Sequence, residues 1–391
     1  DQLVATFPRV AEVKTIVDEA VAYADEIGSK PVGSVSADVT TAFSGGTVVD
    51  GVYTGGTSGD RSEASTMGTL VGNALRDSLS TLPAAPDFGV VNPGGLRADL
   101  LYGADGVVTF AEALAVLPYS NDLTIVTLTG EQVVTMLEQQ WQRGADGSVP
   151  SRPYLQLGLS DNVTYTYESV PDPADATRTV GKISSVTIDG EPIDLAADYR
   201  IGTFSFLAAG GDNFRVFSEA SATINTGLLD WEGWVQYLED ASPISPSFAR
   251  TGVQVSGVDL EAGATLPLEA GTTTSVTLSR ADLHSLGSPV NTTVAADLAG
   301  TAVGSGTFTD DSTTVEVSVP ADATNGAHLL TLEAAPSGTT VVLPAEVTGG
   351  TVPPTTPPTD PETPTLTLSA TEVVAGGSIS ATVTGGTPDA S

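Results

Sequence analysis

The chain has 391 residues, 40% of them hydrophobic, which is enough for two or three domains with buried cores. It has 48 Asp and Glu against 14 Lys and Arg, and this net charge of −34 argues against nucleic acid polymers and anionic membranes as partners. It has no cysteine, which excludes disulfides and thiolate metal sites. The acidic, Thr/Ser/Gly/Pro-rich composition predicts an extracellular or cell-wall-associated protein, as in Gram-positive bacteria. No apolar run approaches the roughly 18 residues of a transmembrane segment.

The first 245 residues mix helical and strand-like patterns. The chain opens on Asp1-Gln2 without a signal peptide, so we expect a processed chain or a fragment. An apolar stripe over residues 9–28 predicts a long helix that packs on something. Further helices are predicted at 61–80, 109–116, from Gly130 and at 228–238, and strands at 88–91, 123–128, 163–167, 183–188 and 199–203, with a hairpin turn at Asp189-Gly190. This mixture predicts an α+β, or mixed α/β, domain.

The pattern changes near residue 250. From there to residue 347, short alternating runs are separated by turns without any helical period, which predicts an all-β, immunoglobulin-like sandwich. The runs lie at 275–278, 292–296, 314–319, 329–332 and 340–343. Residues 349–364 carry six prolines among threonines and predict a stiff, extended linker. Residues 365–391 are too short for a core of their own and are predicted to begin a second, truncated β-module.

Four Gly- or Pro-marked turns carry the side chains that a nucleotide needs. Arginine can bind phosphate oxygens, a carboxylate can accept ribose hydroxyls, and rings on loops can stack on a base. The turns are Arg61 before a predicted helix, Asn92-Pro93-Gly94-Gly95-Leu96-Arg97 after a predicted strand, Tyr119 after Pro118, and the Gly210-Gly211 turn between Phe206 and Asp212.

Taken singly, each of these residues has a plainer interpretation. Arg61 is also placed to pair with Asp60 or Glu63 on the surface. Arg97 fits a solvated loop residue, and each of the two rings fits a core position. Asp212 fits a residue that simply forms a turn. Only the combination of the four turns favours a nucleotide site.

The order of these turns resembles the C-terminal, substrate-binding domain of the 5'-nucleotidase/UDP-sugar hydrolase family. It runs Arg near a helix start, Asn-x-Gly-Gly-x-Arg, Pro-aromatic-x-Asn, Leu-Thr-Gly-Glu-Gln-Val and Phe-Leu-Ala-x-Gly-Gly-Asp. The resemblance covers about residues 55–245. The opening helix and residues 35–43 also look like the segment that joins the two domains of that family.

The resemblance implies a role for each residue of the turns. Tyr119 and Phe206 fall where the family stacks the base, and Asp212 falls where it binds the ribose hydroxyls. Contacts to the nucleoside and its phosphate side are implied for Asn92, Arg97 and Arg61, with backbone turns at Gly94, Gly95, Gly210 and Gly211. This chain departs from the family in having Tyr119 in place of the usual Phe, and Pro93 in place of a small residue.

The resemblance also implies a catalytic half that lies outside this chain. The family hydrolyses phosphate esters with two divalent metal ions held in an N-terminal metallophosphatase domain. His284 and His328 lie in the predicted sandwich without ligand-like neighbours and are interpreted as structural or surface residues. We therefore assign no metal ligand and no catalytic residue, and we expect this chain alone to be inactive. The predicted divisions are a linking helix and inter-domain segment (1–44), the substrate-binding domain (45–248), the β-sandwich (249–348), the linker (349–364) and the truncated module (365–391).

The leading hypothesis is the nucleotide-binding part of a secreted, metal-dependent 5'-nucleotidase or related phosphohydrolase. Its partners would be a nucleotide or nucleoside and its own N-terminal domain. The alternative is a cell-surface adhesion or display protein with a vestigial nucleotidase-like domain, and a third hypothesis is a free-standing nucleoside-binding module. Stacking rings accept any base, so AMP, UDP-sugars and dinucleotides all remain open as ligands.

Overall fold

A computed structural model describes residues 2–352 and two further strands, Thr365–Leu368 and Ala381–Thr384. The chain divides into two compact units, residues 1–350 and 351–391. The helices are α1 (Gln2–Thr6), α2 (Pro8–Gly28), α3 (Thr66–Asp77), α4 (Phe110–Val116), α5 (Gly130–Glu138), α6 (Ser205–Ala208) and α7 (Asp230–Ala241), with short 3-10 turns at Pro93–Gly95, Gly211–Asn213 and Arg215–Glu219.

The strands run through the whole described chain and lengthen toward its C-terminal half. They are β1 (Pro31–Ser34), β2 (Phe43–Ser44), β3 (Thr47–Val49), β4 (Val52–Thr54), β5 (Thr57–Ser58), β6 (Phe88–Val91), β7 (Val107–Thr109), β8 (Asp122–Thr129), β9 (Gly158–Leu159), β10 (Val163–Asp172), β11 (Asp175–Ile188), β12 (Glu191–Pro192), β13 (Asp198–Phe204), β14 (Ala222–Leu229), β15 (Gly252–Ser256), β16 (Leu266–Glu269), β17 (Thr273–Ser279), β18 (Thr293–Leu298), β19 (Thr301–Thr307), β20 (Ser312–Ser318), β21 (Gly326–Ala335), β22 (Thr339–Thr348), β23 (Thr365–Leu368) and β24 (Ala381–Thr384). The predicted mixed α/β class with extensive β-structure is confirmed.

The predicted second helix begins five residues later than expected. Ser65 is its N-cap, and the Ser65 side chain accepts a hydrogen bond from the backbone N–H of Gly68, so α3 starts at Thr66. Residues 61–65 are consequently a loop, which leaves Arg61 and Glu63 outside the helix.

A mixed five-stranded sheet, in the order β14-β8-β13-β6-β9, forms the centre of the first half of the chain. Both faces of this sheet are covered, as the alternation along β8 illustrates. Leu123 and Ile125 join a core cluster with α3, α4 and α7, whereas Val126 and Leu128 join a second cluster with α5 and the β10–β11 hairpin. The sheet is thus the middle layer of three.

Close packing of α3 on this sheet depends on two glycines. A Cβ at Gly89 of β6 would lie 2.0 Å from the carbonyl oxygen of Gly72 in α3, and a Cβ at Gly72 would lie 2.5 Å from the backbone nitrogen of Ser160. Any larger side chain at these positions would push the helix away from the sheet that carries the candidate site.

Strands β10–β12 and the strands from β15 to β22 form two sheets around one further core. The first has the order β12-β11-β10-β15-β17-β20 and the second the order β16-β22-β21-β18-β19. Apolar side chains of both meet in a single buried cluster, among them Val276 and Val315 from the first and Leu332 and Leu343 from the second. The immunoglobulin-like assignment of this region remains a prediction.

The first of these sheets extends across the predicted border at residue 249. Strand β10 pairs in parallel with β15, with Tyr165 opposite Gly252 and Tyr167 opposite Gln254. The β-rich segment that follows residue 250 is therefore joined to the preceding part by backbone hydrogen bonds. The domain borders drawn from the sequence remain predictions.

The two ends of the chain complete the description. No side chain of α2 is buried, and its predicted apolar stripe is exposed, with Val13 and Ile16 at 58% and 66%. In the second unit, β23 pairs antiparallel with β24. Most of the predicted proline-rich linker, residues 353–364, lies outside the described residues. No helix in the described part of the chain is both long and apolar enough to span a bilayer.

Candidate functional site

Three predicted loops emerge at one edge of the central sheet because of its strand directions. β6 and β13 are parallel neighbours, so the loops that follow Val91 and Phe204 leave the sheet on the same side. β8 runs antiparallel to β13, with Leu123 opposite Phe204, so the loop that precedes β8 reaches the same edge. Ligand sites of α/β sheets commonly lie beyond the carboxyl ends of parallel strands.

Asn92, Arg61 and Asp212 meet around Gly94. The Nδ2 group of Asn92 donates a hydrogen bond of 2.7 Å to Oδ2 of Asp212. A Cβ at Gly94 would lie 3.3 Å from side-chain atoms of Arg61, Asn92 and Asp212 alike. Glycine at position 94 thus allows these three side chains to approach the turn. A Cβ at Gly95 would lie 3.2 Å from Oδ1 of Asn92, so the second glycine also leaves room for this side chain.

Asn92 keeps one polar atom without a partner. Asn92 is 3% exposed, and its Oδ1 is buried without a hydrogen-bond partner among the described residues. An unsatisfied buried acceptor costs about 1–3 kcal/mol, and such atoms call for an explanation. This atom belongs to the side chain that lies with Arg61 and Asp212 around Gly94.

Asp212 is held in an unusual backbone conformation. Its φ is 51°, the preceding turn contains Gly210 at φ 82°, and Asn213 follows at φ 61°. The left-handed region is uncommon for residues other than glycine, and Asp and Asn tolerate it best. The Nδ2 group of Asn213 donates a 3.0 Å hydrogen bond to Oε1 of Gln142, which anchors the turn to the segment after α5.

Both predicted stacking rings lie on the surface and not in the core. Tyr119 is 56% exposed and Phe206 is 46% exposed. The Arg97 guanidinium lies 6.0 Å from the centre of the Tyr119 ring, within cation–π range. The ring of Phe206 covers Gly211, where a Cβ would lie 2.5 Å from it. The alternative interpretation of these rings as core residues does not hold in this structure.

The Tyr119 loop is fixed by a buried carboxylate. Asp230, at the start of α7, accepts hydrogen bonds of 2.9 Å from the backbone N–H and from the side-chain amide of Asn121. The backbone N–H of Asp230 in turn donates to the carbonyl of Asn121. Asn121 therefore supports the loop, while Tyr119 remains directed at the surface.

The site concentrates positive charge. Burial, followed by repulsion from Arg152 and Arg97, lowers the pKa of Arg61, while Asp212 and Tyr119 partly oppose this shift. The electrostatic coupling places these side chains in one neighbourhood. Arg152 is a member that sequence reasoning missed, although its position in a Pro-Ser-Arg-Pro loop of a chain poor in basic residues offered a signal.

Arg61, Arg97 and Arg152 also lack acidic partners. Over the described residues, none of the three has a carboxylate oxygen within 4.0 Å, although the chain contains 48 acidic side chains. The other interpretation of Arg61, a surface pair with Asp60 or Glu63, fails because neither carboxylate lies within 4.0 Å of its guanidinium; Asp60 accepts hydrogen bonds from Ser62, and Glu63 pairs with Arg250 and Arg280. A cavity of ≈ 210 Å³ opens beside Arg61 and Arg97. The arginines that do form ion pairs are Arg76, Arg143, Arg178, Arg200, Arg250 and Arg280.

Glu63 belongs to a different cluster. It pairs with Arg250 and Arg280, which come from the β-rich segment after residue 250. Burial opposes ionisation of this carboxyl, but the two arginines outweigh it and lower the pKa of Glu63. Glu63 also lines the cavity beside Arg61 and Arg97, but both of its carboxylate oxygens are engaged by Arg250 and Arg280.

The histidines occupy structural positions. The ring of His284 stacks on Tyr53 with centroids 5.0 Å apart, and Nε2 of His328 lies 2.7 Å from the carbonyl oxygen of Thr324. Over residues 2–352, no group of three or more His, Asp and Glu side chains is arranged to hold a metal ion. These residues do not fit a dinuclear metal centre.

Comparison with known proteins shows that the part of the chain that forms this sheet edge matches one protein family. Residues 44–219 match the family described as 5'-nucleotidase, C-terminal domain. The "Silent protein UshA(0)" of Salmonella typhimurium is 29% identical over 198 residues, 51% of this chain and 32% of that protein. A 5'-nucleotidase of Vibrio cholerae is 35% identical over 171 residues, and the "Cell wall protein Lmo0130" of Listeria monocytogenes is 29% identical over 180.

Residues 44–219 therefore match the 5'-nucleotidase C-terminal domain, as the motifs predicted. The match covers 43% of this chain and 27% of the Vibrio protein, and 45% of this chain and 21% of the Listeria protein. It thus spans at most about a third of these three relatives. All six predicted side chains lie within the matched residues 44–219; Asn92, Arg97, Tyr119 and Asp212 lie on loops or turns at this sheet edge, Phe206 lies in the short helix α6 that follows β13, and Arg61 reaches Gly94 from the loop before α3.

Proposed function

We propose that residues 44–219 bind the substrate of a nucleotide phosphohydrolase of the 5'-nucleotidase type. The observation that carries this proposal is the group of arginines without acidic partners, Arg61, Arg97 and Arg152, in a chain of net charge −34. Mutual repulsion among cations costs free energy, so their retention is best explained by an anion that binds between them. A nucleotide phosphate is the anion that suits the neighbouring groups.

The neighbouring side chains suit the rest of a nucleotide. We propose that Tyr119 and Phe206 stack on the two faces of the base, since both rings are exposed, Tyr119 on the loop before β8 and Phe206 on the short helix after β13, at the same sheet edge. Asp212 would accept ribose hydroxyls through Oδ1, for which the described residues supply no donor, while Asn92 holds Oδ2. A donor on the ligand would satisfy the buried Oδ1 of Asn92.

Hydrolysis would require a second domain. We propose that two divalent metal ions are bound by an N-terminal metallophosphatase domain and supply the activated water for attack on the phosphate. This chain would contribute specificity: Arg61 and Arg97 would orient the phosphate side, and the rings would fix the base. We further propose that the parent protein is secreted or attached to the cell wall, which the cell-wall relative from Listeria supports.

Calorimetric titration of AMP and adenosine into the 391-residue chain tests the proposal. We expect saturable binding of both, and Phe206→Ala should weaken it by about 1–3 kcal/mol because one stacking face is lost. Tyr23→Ala is the matched control, since Tyr23 is a 68% exposed ring on α2, and it should bind as the wild type does. Absence of binding, or equal losses in both variants, would contradict the proposed site.

A surface adhesion or display protein is the second candidate. It is supported by the "cell wall protein" among the relatives and by the β-rich segment after residue 250. This candidate predicts that the wild type binds neither AMP nor adenosine. The same titration therefore separates the two functions.

A further inference from the structure

The loop that carries Arg61 is held from outside the matched family domain. Arg250 and Arg280 both pair with the carboxylate of Glu63, two residues beyond Arg61. Nη1 of Arg250 lies 3.1 Å from Oε2, and Nη2 of Arg280 lies 2.5 Å from Oε1. The sequence contains no other Lys or Arg after residue 215, so both arginines of this segment bind the same carboxylate.

The guanidinium of Arg250 is buried and is held by hydrogen bonds from Nε and Nη1. Arg250 is 3% exposed, and its Nε and Nη1 groups donate hydrogen bonds of 2.9 Å to the carbonyls of Gly252 and Asp282. Gly252 is the first residue of β15, which pairs with β10. The guanidinium is therefore a rigid part of the sheet, and a carboxylate bound to it is held at a defined place.

A second set of contacts joins the same two regions. Residues 280–291, here called the docking loop, lie against residues 40–66. Ser285 is the centre of these contacts: its hydroxyl oxygen accepts a 3.0 Å hydrogen bond from the N–H of Thr66 and donates one to the carbonyl of Thr40. The carbonyl of His284 accepts a hydrogen bond from the N–H of Phe43. The docking loop thus holds the chain on both sides of Arg61.

Arg61 itself needs such support. Its loop has no regular secondary structure and begins after Gly59 at φ 88°. Burial and then the nearby cations Arg152 and Arg97 disfavour the charge of Arg61 and lower its pKa, and Asp212 offsets only part of this. The backbone of Arg61 is held at one point, where its carbonyl accepts a hydrogen bond of 2.9 Å from the N–H of Gln156.

We infer that Glu63, Arg250 and Arg280, here called the brace, position Arg61 for the substrate. The β-rich segment after residue 250 is then a structural part of the substrate site and not an appended module. This inference rests on the proposed function. Glu63 lies within the matched residues 44–219 but Arg250 and Arg280 lie beyond them, so the two cations of the brace come from outside the family domain.

Arg280→Ala in the 391-residue chain tests the brace. Arg280 is 42% exposed at its side chain, so the variant should fold. We expect AMP to bind about tenfold more weakly, whereas adenosine, which lacks the phosphate, should bind almost unchanged. Arg280→Lys, which keeps the charge, should recover part of the loss.

Lys182→Ala is the matched control. The Lys182–Glu261 ion pair of 2.6 Å also joins the two regions, but it is exposed and does not touch the Arg61 loop. Its loss should leave AMP binding unchanged. If Lys182→Ala weakens AMP binding as much as Arg280→Ala does, the brace has no special role and the inference is overturned.

A double-mutant cycle separates positioning from general stability. If the brace acts through Arg61, Arg280→Ala should cause no further loss of AMP affinity in an Arg61→Ala background. A loss that persists in that background would overturn the inference. If the wild type binds no AMP, the proposed function fails, and amide hydrogen exchange at residues 60–66 then decides the brace alone. Faster exchange in Arg280→Ala supports the brace, and unchanged exchange refutes it.

Discussion

Two clusters of arginines meet one short loop, at Arg61 and at Glu63, and they differ in how their charge is balanced. In the substrate cluster, formed by Arg61, Arg97 and Arg152, no guanidinium has a carboxylate within 4.0 Å among the described residues, and Arg152 and Arg97 both disfavour the charge of Arg61. In the brace, Arg250 and Arg280 share the carboxylate of Glu63. A single residue, Ser62, thus separates the cluster without carboxylate partners from the cluster that has one.

This difference distinguishes binding from support. A buried ion pair with complete hydrogen bonding fixes geometry and leaves nothing for a ligand to satisfy. The substrate cluster instead retains cations without carboxylate partners and the unpartnered Oδ1 of Asn92. Such unfavourable features persist in proteins where a ligand or a reaction requires them.

The largest expected effect is a loss of stability when the negative charge of Glu63, which Arg250 and Arg280 share, is removed. Glu63→Gln leaves the buried Arg250 without its carboxylate and should lower the free energy of unfolding by about 3 kcal/mol. Urea denaturation measures this change. Glu261→Gln removes an exposed carboxylate of the Lys182 pair and should change stability by less than about 0.5 kcal/mol. Equal effects of the two substitutions would remove the distinction between the clusters.

A smaller effect is expected for Asp212→Gly, which should weaken adenosine binding by about 1.5 kcal/mol through loss of the ribose acceptor. Stability should hardly change, because relief of the left-handed backbone, about 1 kcal/mol, offsets the lost hydrogen bond from Asn92. Calorimetric titration and urea denaturation measure the two quantities.

Asp189→Gly provides an unusually close control for that substitution. Asp189 also has a left-handed backbone, with φ 54°, and accepts a hydrogen bond of 3.1 Å from Asn162. It lies in the turn between β11 and β12, away from the candidate site. The control should resemble Asp212→Gly in stability and the wild type in binding. Weaker binding in the control would show that the effect at position 212 is not local.

Sequence reasoning succeeded where the determinants were local. The strand before Asn92 and the glycine turn before Asp212 are coded within a few residues, so the loops and the helices and strands beside them were predictable. Strand β14 was missed because it is largely exposed and lacks a clean alternation, and β19 because Gly304 and Gly306 interrupt its pattern.

The brace could not be predicted in the same way. Glu63 lies 187 and 217 residues from the two arginines that bind it, and no local pattern specifies partners at that separation. The sequence did contain one indirect signal, because Arg250 and Arg280 are isolated cations in a long acidic segment. In such a segment, a buried arginine needs a carboxylate partner, but only the fold determines which of the many acids supplies it.

The smallest expected effect concerns pH and follows from the sign of the Glu63 shift. Since the pKa of Glu63 is lowered from its ordinary value of 4.5, its contribution to stability is complete above pH 4.5 and is lost as the pH falls through the folded-state pKa. Burial raises the pKa of Asp282 and Asp311, so their contributions have the opposite sign and decline as the pH rises.

The difference between wild type and Arg280→Ala isolates the Glu63 contribution, because that variant removes one of the two cations that lower the Glu63 pKa. Thermal midpoints measured from pH 7 downward should converge for the two proteins below pH 4.5. A midpoint difference that stays constant across that range would mean that Arg280 stabilises the fold by packing and not by its charge. The balance of charge at Glu63 would then not be what distinguishes the brace from the substrate cluster.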